Sequence, residues 1–471
     1  MSDHSRELHT HLIGIGGIGM SALAQALAAR GERLSGCDLH PSALTAKLEH
    51  MGIAFSEGHS PAHLAGAERV IVSDAIRPDN AELSRARDLG LPVLRRSQVV
   101  GELMRERRGI AVAGTHGKTT TAAMIGIILA QAGLDPTVLI GGELPAFGGN
   151  ARIGGGEFFV AEACEAYESF LDFEPEIAAI TNIEAEHLDH HHTERALINS
   201  FERFAAKVRA GGWLVFCADD PNAASIAARA RAATVSYALD AAADFRAAEV
   251  ADDGMGMTFM LLHPAGQTRG RLTIPGRHNV ANAAGAIAAC AMVGVSPHQA
   301  AMTLETYAGV ARRFELSPTA SGVTVVDDYA HHPTEIRATI AAARPRCAGK
   351  LIVVFQPHLY SRTRDFLDGF ADALSLADRV IVTDIYPARE QPLPGVSGAS
   401  IVEILRRRGK QEALFHAQKD EVAALLSESL ARGDWVLVLG AGDIGSVAHE
   451  LVHRLSGAPG SVSAGRPSCT S

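Results

Sequence analysis

Two short stretches of this sequence have the residue types and spacing for phosphate chemistry. The first runs Gly114-Thr115-His116-Gly117-Lys118-Thr119-Thr120-Thr121, behind the apolar run Ile110 to Ala113 and ahead of an amphipathic run to Ala130. Glycines let backbone N–H groups converge on an anion, and a helix opening directly behind them points its positive end the same way. Lys118 offers a point charge to the β- and γ-phosphates of a nucleotide, and Thr119 a hydroxyl to its magnesium ion. The general P-loop has glycine five residues ahead of its Gly-Lys pair; Val112 stands there, so this loop is shorter. The alternative, a plain turn that contains Gly-Lys-Thr, fits the flanking strand and helix context less well.

The second stretch is Gly14-x-Gly16-x-x-Gly19, inside a unit that reads strand, glycine turn, helix to about Arg30 and second strand ending at Asp38. This is the dinucleotide fingerprint: a tight turn, a close backbone approach, close helix packing, and an acid for a ribose hydroxyl. It reports a nucleotide diphosphate on a helix N-terminus without saying which one. NAD and a UDP-sugar satisfy the same physics.

Further polar groups stand where apolar runs end. Phe158 to Ala163 reads as a buried strand carrying Glu162, with Glu165 and Glu168 beyond; Ile177 to Ile183 reads as another, leading to Glu184, Glu186 and His187. Glu162 and His187 could both reach magnesium held by ATP phosphates and Thr119. His190-His191-His192 reads as a solvated loop, because consecutive residues cannot all face one metal and no cysteine accompanies them. The turn Pro275-Gly276-Arg277-His278-Asn279-Val280-Ala281-Asn282 opens an Ala-rich helix whose first residues can bond a base edge; a plain helix cap by Asn279 is the alternative. Further on, Arg313, Tyr329, His331, His358 and Arg362 offer cations and rings suited to a γ-phosphate and a small carboxylate.

The elements that must position these groups form three consecutive α/β units, at 1–108, 109–308 and 309–455, followed by a Ser/Gly/Pro-rich tail at 456–471. A β-rich stretch of weak periodicity, about 244–275, interrupts the second unit. The 471 residues are too many for one ordinary core, and 47% hydrophobic with 20% charged residues describes a well-buried globule. A formal net charge of -10 disfavours nucleic acid as a partner, since phosphate neutralisation needs a basic face. Six cysteines without a CxxC pattern read as reduced, and no run is apolar and long enough to span a membrane. The N-terminal residues are polar with no secretory pattern, so a cytoplasmic location is expected.

GIGGIGMS, AGTHGKTTT, VAEACE, TNIEAEHLD, PGRHNVAN, GVARRFE, DDYAHHPTE, FQPHLYSRTRD and LGAGDI are spaced along about 11–445 like the motifs of the Mur ligases. The resemblance implies a Rossmann-like UDP-binding domain, a central P-loop ATPase α/β domain and a C-terminal Rossmann-like domain. It implies the alanine-adding activity: ATP phosphorylates the lactyl carboxylate of UDP-N-acetylmuramate, and the amine of L-alanine displaces phosphate. This is the first stem-peptide step of peptidoglycan synthesis. The UDP-sugar site so implied is Gly14, Gly16, Gly17, Ile18, Gly19, Asp38 and Ser73. The ATP site is Gly114 to Thr120, His278, Asn279, Asn282, Arg313 and Asp328, with Asp328 at the ribose. Lys118, Glu162, His187 and Arg313 carry the chemistry, Arg313 at the transferring phosphate. Thr119 and Glu162 hold one Mg2+ and His187 a second, while Tyr329, His331, His358 and Arg362 line the amino-acid pocket. The resemblance also admits a homodimer. Leu359 departs from members that carry arginine there, and no lysine lies between His187 and Lys207 to serve as the carbamylated ligand of later-acting members.

Two alternatives stand beside this reading. A recycling ligase joins a murein tripeptide to the same UDP-sugar; the GIGGIGMS loop favours the alanine-adding reading. An NAD-dependent oxidoreductase rests on the first 40 residues and leaves Gly114 to Thr120 without a purpose.

Overall fold

Residues 8–186, 191, 193–388 and 390–456 are described by the structure, a computed structural model of the chain. The expected site residue His187, its neighbours His190 and His192, and nearly all of the 456–471 tail lie outside the described residues.

Short Val/Ile/Leu runs ahead of glycine turns build the first sheet: β1 (His9–Ile13), β2 (Arg33–Asp38), β3 (Ala54–Glu57), β4 (Arg69–Val72) and β5 (Val93–Arg95). All its pairings are parallel, in the order β3-β2-β1-β4-β5. The chain changes direction across β1, so the loop after β1 opens at the switch point where doubly wound sheets bind ligands.

The second sheet holds ten strands: β6 (Arg108–Ala113), β7 (Thr137–Leu144), β8 (Gly149–Arg152), β9 (Phe158–Glu162), β10 (Ile177–Ile180), β11 (Trp213–Cys217), β12 (Ala233–Ala238), β13 (Phe245–Asp252), β14 (Met257–His263) and β15 (Gly266–Leu272). Its order is β15-β14-β13-β12-β11-β10-β6-β9-β7-β8. The centre is parallel, and the weakly periodic 244–275 stretch proves to be an antiparallel ribbon, β13 to β15, on one side. β6 lies between β10 and β9, which sets the loop after it at the middle of the parallel strands. Helices Lys118–Gln131 and Arg277–Ala291, rich in alanine and other small residues, are buried along most of their length and share one core. A second core joins Leu12, Leu23 and Met104 of the first sheet's layer to Ala111, Phe159 and Phe201 of the second.

Two strands are shorter than their sequence runs suggest. The run Arg69 to Ile76 reads as one strand, but β4 stops at Val72, because Ile76 N–H closes a turn on the Ser73 carbonyl. β10 stops at Ile180, because Thr181 and Asn182 spend their polar groups on the Gly114–Gly117 loop.

The chain divides by packing into two compact units, one ending at Ala311 and the other beginning at Arg312. The second contains β16 (Glu315–Pro318), β17 (Thr324–Asp328), β18 (Leu351–Phe355), β19 (Arg379–Val382), β20 (Ala413–Phe415) and β21 (Trp435–Leu439), in the order β16-β17-β21-β18-β19-β20. Only the β16–β17 pair is antiparallel. Apolar cores cover both faces of this sheet. Among the described residues no helix is long and apolar enough to cross a membrane, and the five described cysteines are free.

Candidate active site

The loop after β6 is held by side chains from the segment after β10. Asn182 reads both backbone groups of His116: its Oδ1 accepts from His116 N–H at 2.8 Å and its Nδ2 donates to His116 C=O at 3.1 Å. Thr181 Oγ1 donates to the same carbonyl at 2.6 Å, and Thr115 N–H donates to Asn182 C=O at 2.9 Å. Gly117 caps the helix with φ +82, a left-handed conformation that suits glycine, and a Cβ there would collide with Asn282 Oδ1. The first amides of the helix from Lys118 have no intrahelical acceptor, so they are free to face an anion.

Lys118 is not idle in this structure. Its Nζ donates to the carbonyls of Gly114 and Thr115 and to both oxygens of Glu165, at 3.0 and 3.1 Å for the carboxylate. Glu165 is buried. Burial pushes the ammonium toward neutrality, but the Glu165 charge and hydrogen bond, together with Cys164 and Glu186, outweigh it and hold Lys118 protonated well above the ordinary lysine range. The pair is a buried cation with a local counterion at the place a phosphate would take. One residue on, Thr119 Oγ1 donates to Glu162 Oε2 at 2.9 Å, and the other Glu162 oxygen accepts from Gly141 N–H. Two adjacent oxygen donors of this kind suit a hard cation such as Mg2+.

Asn279 and Asn282 lie in the first turns of helix Arg277–Ala291, which Gly276 caps. Asn279 is therefore inside the helix and is not its cap; its Nδ2 donates to Pro275 C=O at 2.7 Å. Asn282 lies against Gly117, whereas His278 faces solvent.

In the fingerprint loop, Gly14 has φ +83, and its N–H and that of Ile15 donate to Cys37 C=O at 2.8 and 3.0 Å. Gly16 N–H donates to Asp38 Oδ2 at 2.9 Å. Behind Gly17, Ile18 and Gly19 opens a cavity of about 270 Å³ that reaches Ser73 and Arg96 on one side and Gly141 and Glu162 on the other. A hydrogen-bonded seam steadies its wall: Asn150 Nδ2 donates to Ser21 Oγ at 2.8 Å, and Gln25 Nε2 donates to Asn150 Oδ1 at 3.0 Å.

The second unit gathers the remaining expected residues around its strand ends. The guanidinium groups of Arg312 and Arg313 both lie over the Tyr329 ring, 5.3 and 5.0 Å from its centre. Tyr329, His331, His358 and Tyr386 follow one another in ring contacts of 5.4, 6.1 and 5.6 Å. Arg362, buried in the short helix Tyr360–Asp365, donates to His358 Nδ1 at 3.1 Å. Leu359 caps that helix with φ +70, an uncommon conformation for a branched residue. Asp328 accepts from Phe314 N–H and Ala330 N–H at 2.9 and 2.8 Å. Burial pushes its carboxyl up to about 6, against the pull of the Arg313 charge.

Sequence reasoning left four groups unassigned: Arg96, Glu165 and Asn182 in the first unit and Arg312 in the second. Glu165 was visible as one acid of three after β9, but nothing in the spacing pairs it with Lys118; left-handed backbone at Tyr167 and Glu168, with φ 54 at each, follows it. Asn182 was visible in TNIEAE without a partner to give it meaning.

Comparison with known proteins aligns with this geometry. Residues 9–108 match the Mur ligase family catalytic domain, 112–290 the Mur ligase middle domain, and 312–442 the Mur ligase glutamate ligase domain. The UDP-N-acetylmuramate–L-alanine ligase of Xanthomonas oryzae pv. oryzae is 44% identical over 451 residues, covering 94% of each chain. That of Xylella fastidiosa is 43% identical over 451 residues, again 94% of each. Among solved structures, the Thermotoga maritima UDP-N-acetylmuramate-alanine ligase matches with a TM-score of 0.81 at 30% identity, over 95% of this chain and 99% of that one. A murein peptide ligase from Psychrobacter arcticus matches with a TM-score of 0.73 at 25% identity, over 96% and 100%.

Proposed function

The chain belongs to the Mur ligase family, and we propose that it joins L-alanine to UDP-N-acetylmuramate in an ATP-dependent reaction. The observation that carries this reading is the cavity whose one wall is the Gly17–Gly19 turn and whose other is Gly141 and Glu162. A sugar nucleotide seated on the first loop has a path from there to the nucleotide loop of the second sheet. The 94% coverage of alanine-adding relatives supports the same conclusion.

In this reading a lactyl carboxylate oxygen attacks the γ-phosphorus of ATP and ADP leaves. The alanine amine then attacks the acyl carbon, and the tetrahedral intermediate expels phosphate with the proton balance passing to solvent. Lys118 and the loop amides neutralise and align the phosphates, which is most of what phosphoryl transfer asks of a protein. Thr119 and Glu162 would hold one Mg2+ and His187 a second; the ions would supply charge neutralisation on the phosphates. Asn279, Asn282 and His278 take the adenine end, Asp328 the ribose, and Arg313 the transferring phosphate. Tyr329, His331 and His358 frame the amino acid while Arg362 pairs its carboxylate. Gly14, Gly16, Gly17, Ile18, Gly19, Asp38 and Ser73 hold the UDP-sugar. The domains of this reading are 1–108 for UDP-sugar, 109–308 for ATP and 309–455 for the amino acid, working in the cytoplasm, and a homodimer belongs to the same proposal.

The test is phosphate release. It should require UDP-N-acetylmuramate, L-alanine and MgATP together. Release with a murein tripeptide in place of alanine, and none with alanine, would transfer the reading to the recycling ligase.

A further inference from the structure

On the face of the first sheet covered by helix Ala81–Asp88 and the turn Pro61–Leu64 lies a cluster that the ligase chemistry does not use. Glu82 is 0% exposed, yet four side chains close on its carboxylate. Cys37 Sγ lies 2.7 Å from Oε2; His59 Nδ1 lies 3.0 Å from Oε2 and 3.2 Å from Sγ; His63 Nδ1 lies 2.6 Å from Oε1. His11 Nε2 stands 3.7 Å from Oε1, buried and without a hydrogen bond.

The proton positions around His11 follow from its hydrogen-bond chain. His9 Nδ1, 2.8 Å from the Gly66 carbonyl, must donate, so its Nε2 accepts from the Ser35 hydroxyl at 2.9 Å. Ser35 Oγ therefore accepts from His11 Nδ1 at 2.8 Å. The neutral His11 ring is left with an unprotonated Nε2 facing the Glu82 carboxylate. Two electron-rich groups opposed in a dry site call for a cation between them.

We propose that this cluster is a binding site for a divalent metal ion of the zinc class, with Cys37 Sγ, His11 Nε2, His59 Nδ1 and Glu82 Oε2 as ligands. One sulfur, two imidazoles and a carboxylate are a borderline-soft donor set, suited to zinc or cobalt and unsuited to magnesium. The ligand atoms of His11, Cys37 and Glu82 already lie within 4.8 Å of one another. Tetrahedral zinc needs ligand separations of roughly 3.3 to 3.8 Å, given Zn–N near 2.0 and Zn–S near 2.3 Å. The thiol–carboxylate contact therefore opens by about an ångström as its S–H···O bond gives way to the metal, and the thiol proton leaves to solvent. His63, on Oε1, holds the carboxylate from behind. His59 and His63, 14% and 19% exposed, mark the way in. The Cys37 carbonyl accepts from the Gly14 and Ile15 amides, so the ion would sit directly under the fingerprint loop.

The experiment adds Co2+ and then Zn2+ to the chelator-stripped full-length protein. One equivalent of Co2+ should bind with a thiolate-to-metal charge-transfer band in the near ultraviolet, and Zn2+ should displace it and raise the Tm. Cys37→Ser should abolish the band and weaken Zn2+ binding about ten- to a hundredfold. Should that variant fold poorly, His59→Gln at the accessible rim should weaken Zn2+ similarly while keeping a shifted band. Absence of the band in the wild-type protein would overturn the site and leave a protonated His11 as the cation. A band that survives Cys37→Ser would overturn it equally, by assigning the metal to another thiol.

Discussion

The glycine loop after β1 and the glycine loop after β6 stand at equivalent places in their sheets, each ahead of a helix buried in its own domain. They differ in charge. In the first, Gly16 N–H turns to a carboxylate of the same domain, Asp38 Oδ2, and the loop carries no lysine. In the second, Lys118 is locked to Glu165, and Asn182 fixes the backbone at His116. In the proposed function the first loop only holds a diphosphate, for which amides and a helix dipole suffice. The second would stabilise a moving phosphoryl group and keeps a full charge ready, with the Glu165 carboxylate as its stand-in partner before the nucleotide arrives.

Variants of the two loops can break that contrast. Lys118→Ala makes the second loop resemble the first, and kcat should fall about 10³-fold. It also leaves Glu165 buried without this cation, so the nucleotide-free protein should lose about 3 kcal/mol of stability; phosphate release and thermal melts check both. Glu165→Gln leaves Lys118 buried without its counterion. The nucleotide-free protein should lose about 3 kcal/mol of stability, and saturating MgATP should restore much of it. Equal losses with and without MgATP would contradict the stand-in role. Gly117→Ala forces a side chain into left-handed backbone at φ +82 and against Asn282. With a cost of about 1–2 kcal/mol, the KM for ATP should rise roughly tenfold. Gly16→Ala sets a Cβ 2.9 Å from Asp38 Oδ2. It should raise the KM for UDP-N-acetylmuramate by a few-fold and leave that for ATP unchanged; a shift in both would merge the two loops' duties. The smallest effect is in pH. Because the folded pKa of Lys118 is raised, its stabilising contribution is complete below the unfolded lysine pKa of about 10.4 and is lost only above it. Comparing melts of the wild type and Lys118→Met between about pH 6 and 10 should give a constant difference.

Local signals in the chain were enough to locate both loops, because glycine spacing, an apolar strand and a helix start all fall within some thirty residues. What they could not convey was pairing across distance. Glu162, Glu165 and Glu168 look alike after β9, yet one bonds Thr119, one holds Lys118 and one pairs with Arg203. Glu162 ends its strand, Glu165 follows in right-handed backbone, and Glu168 itself stands in a left-handed turn with Tyr167, a local geometry that no composition rule predicts. The β13–β15 ribbon was faint because a register shift between Ala248 and Ala251 interrupts its alternation. Arg96 sits at the start of its helix and reads as a surface cation until the fold brings its guanidinium over Gly19.

The central claim is that the substrate carboxylate is phosphorylated before the amide forms. UDP-N-acetylmuramate carrying heavy oxygen in its lactyl carboxylate, turned over with MgATP and L-alanine, tests it directly by mass analysis of the released phosphate. The account predicts one labelled oxygen in each phosphate formed. Phosphate that carries no label would contradict it.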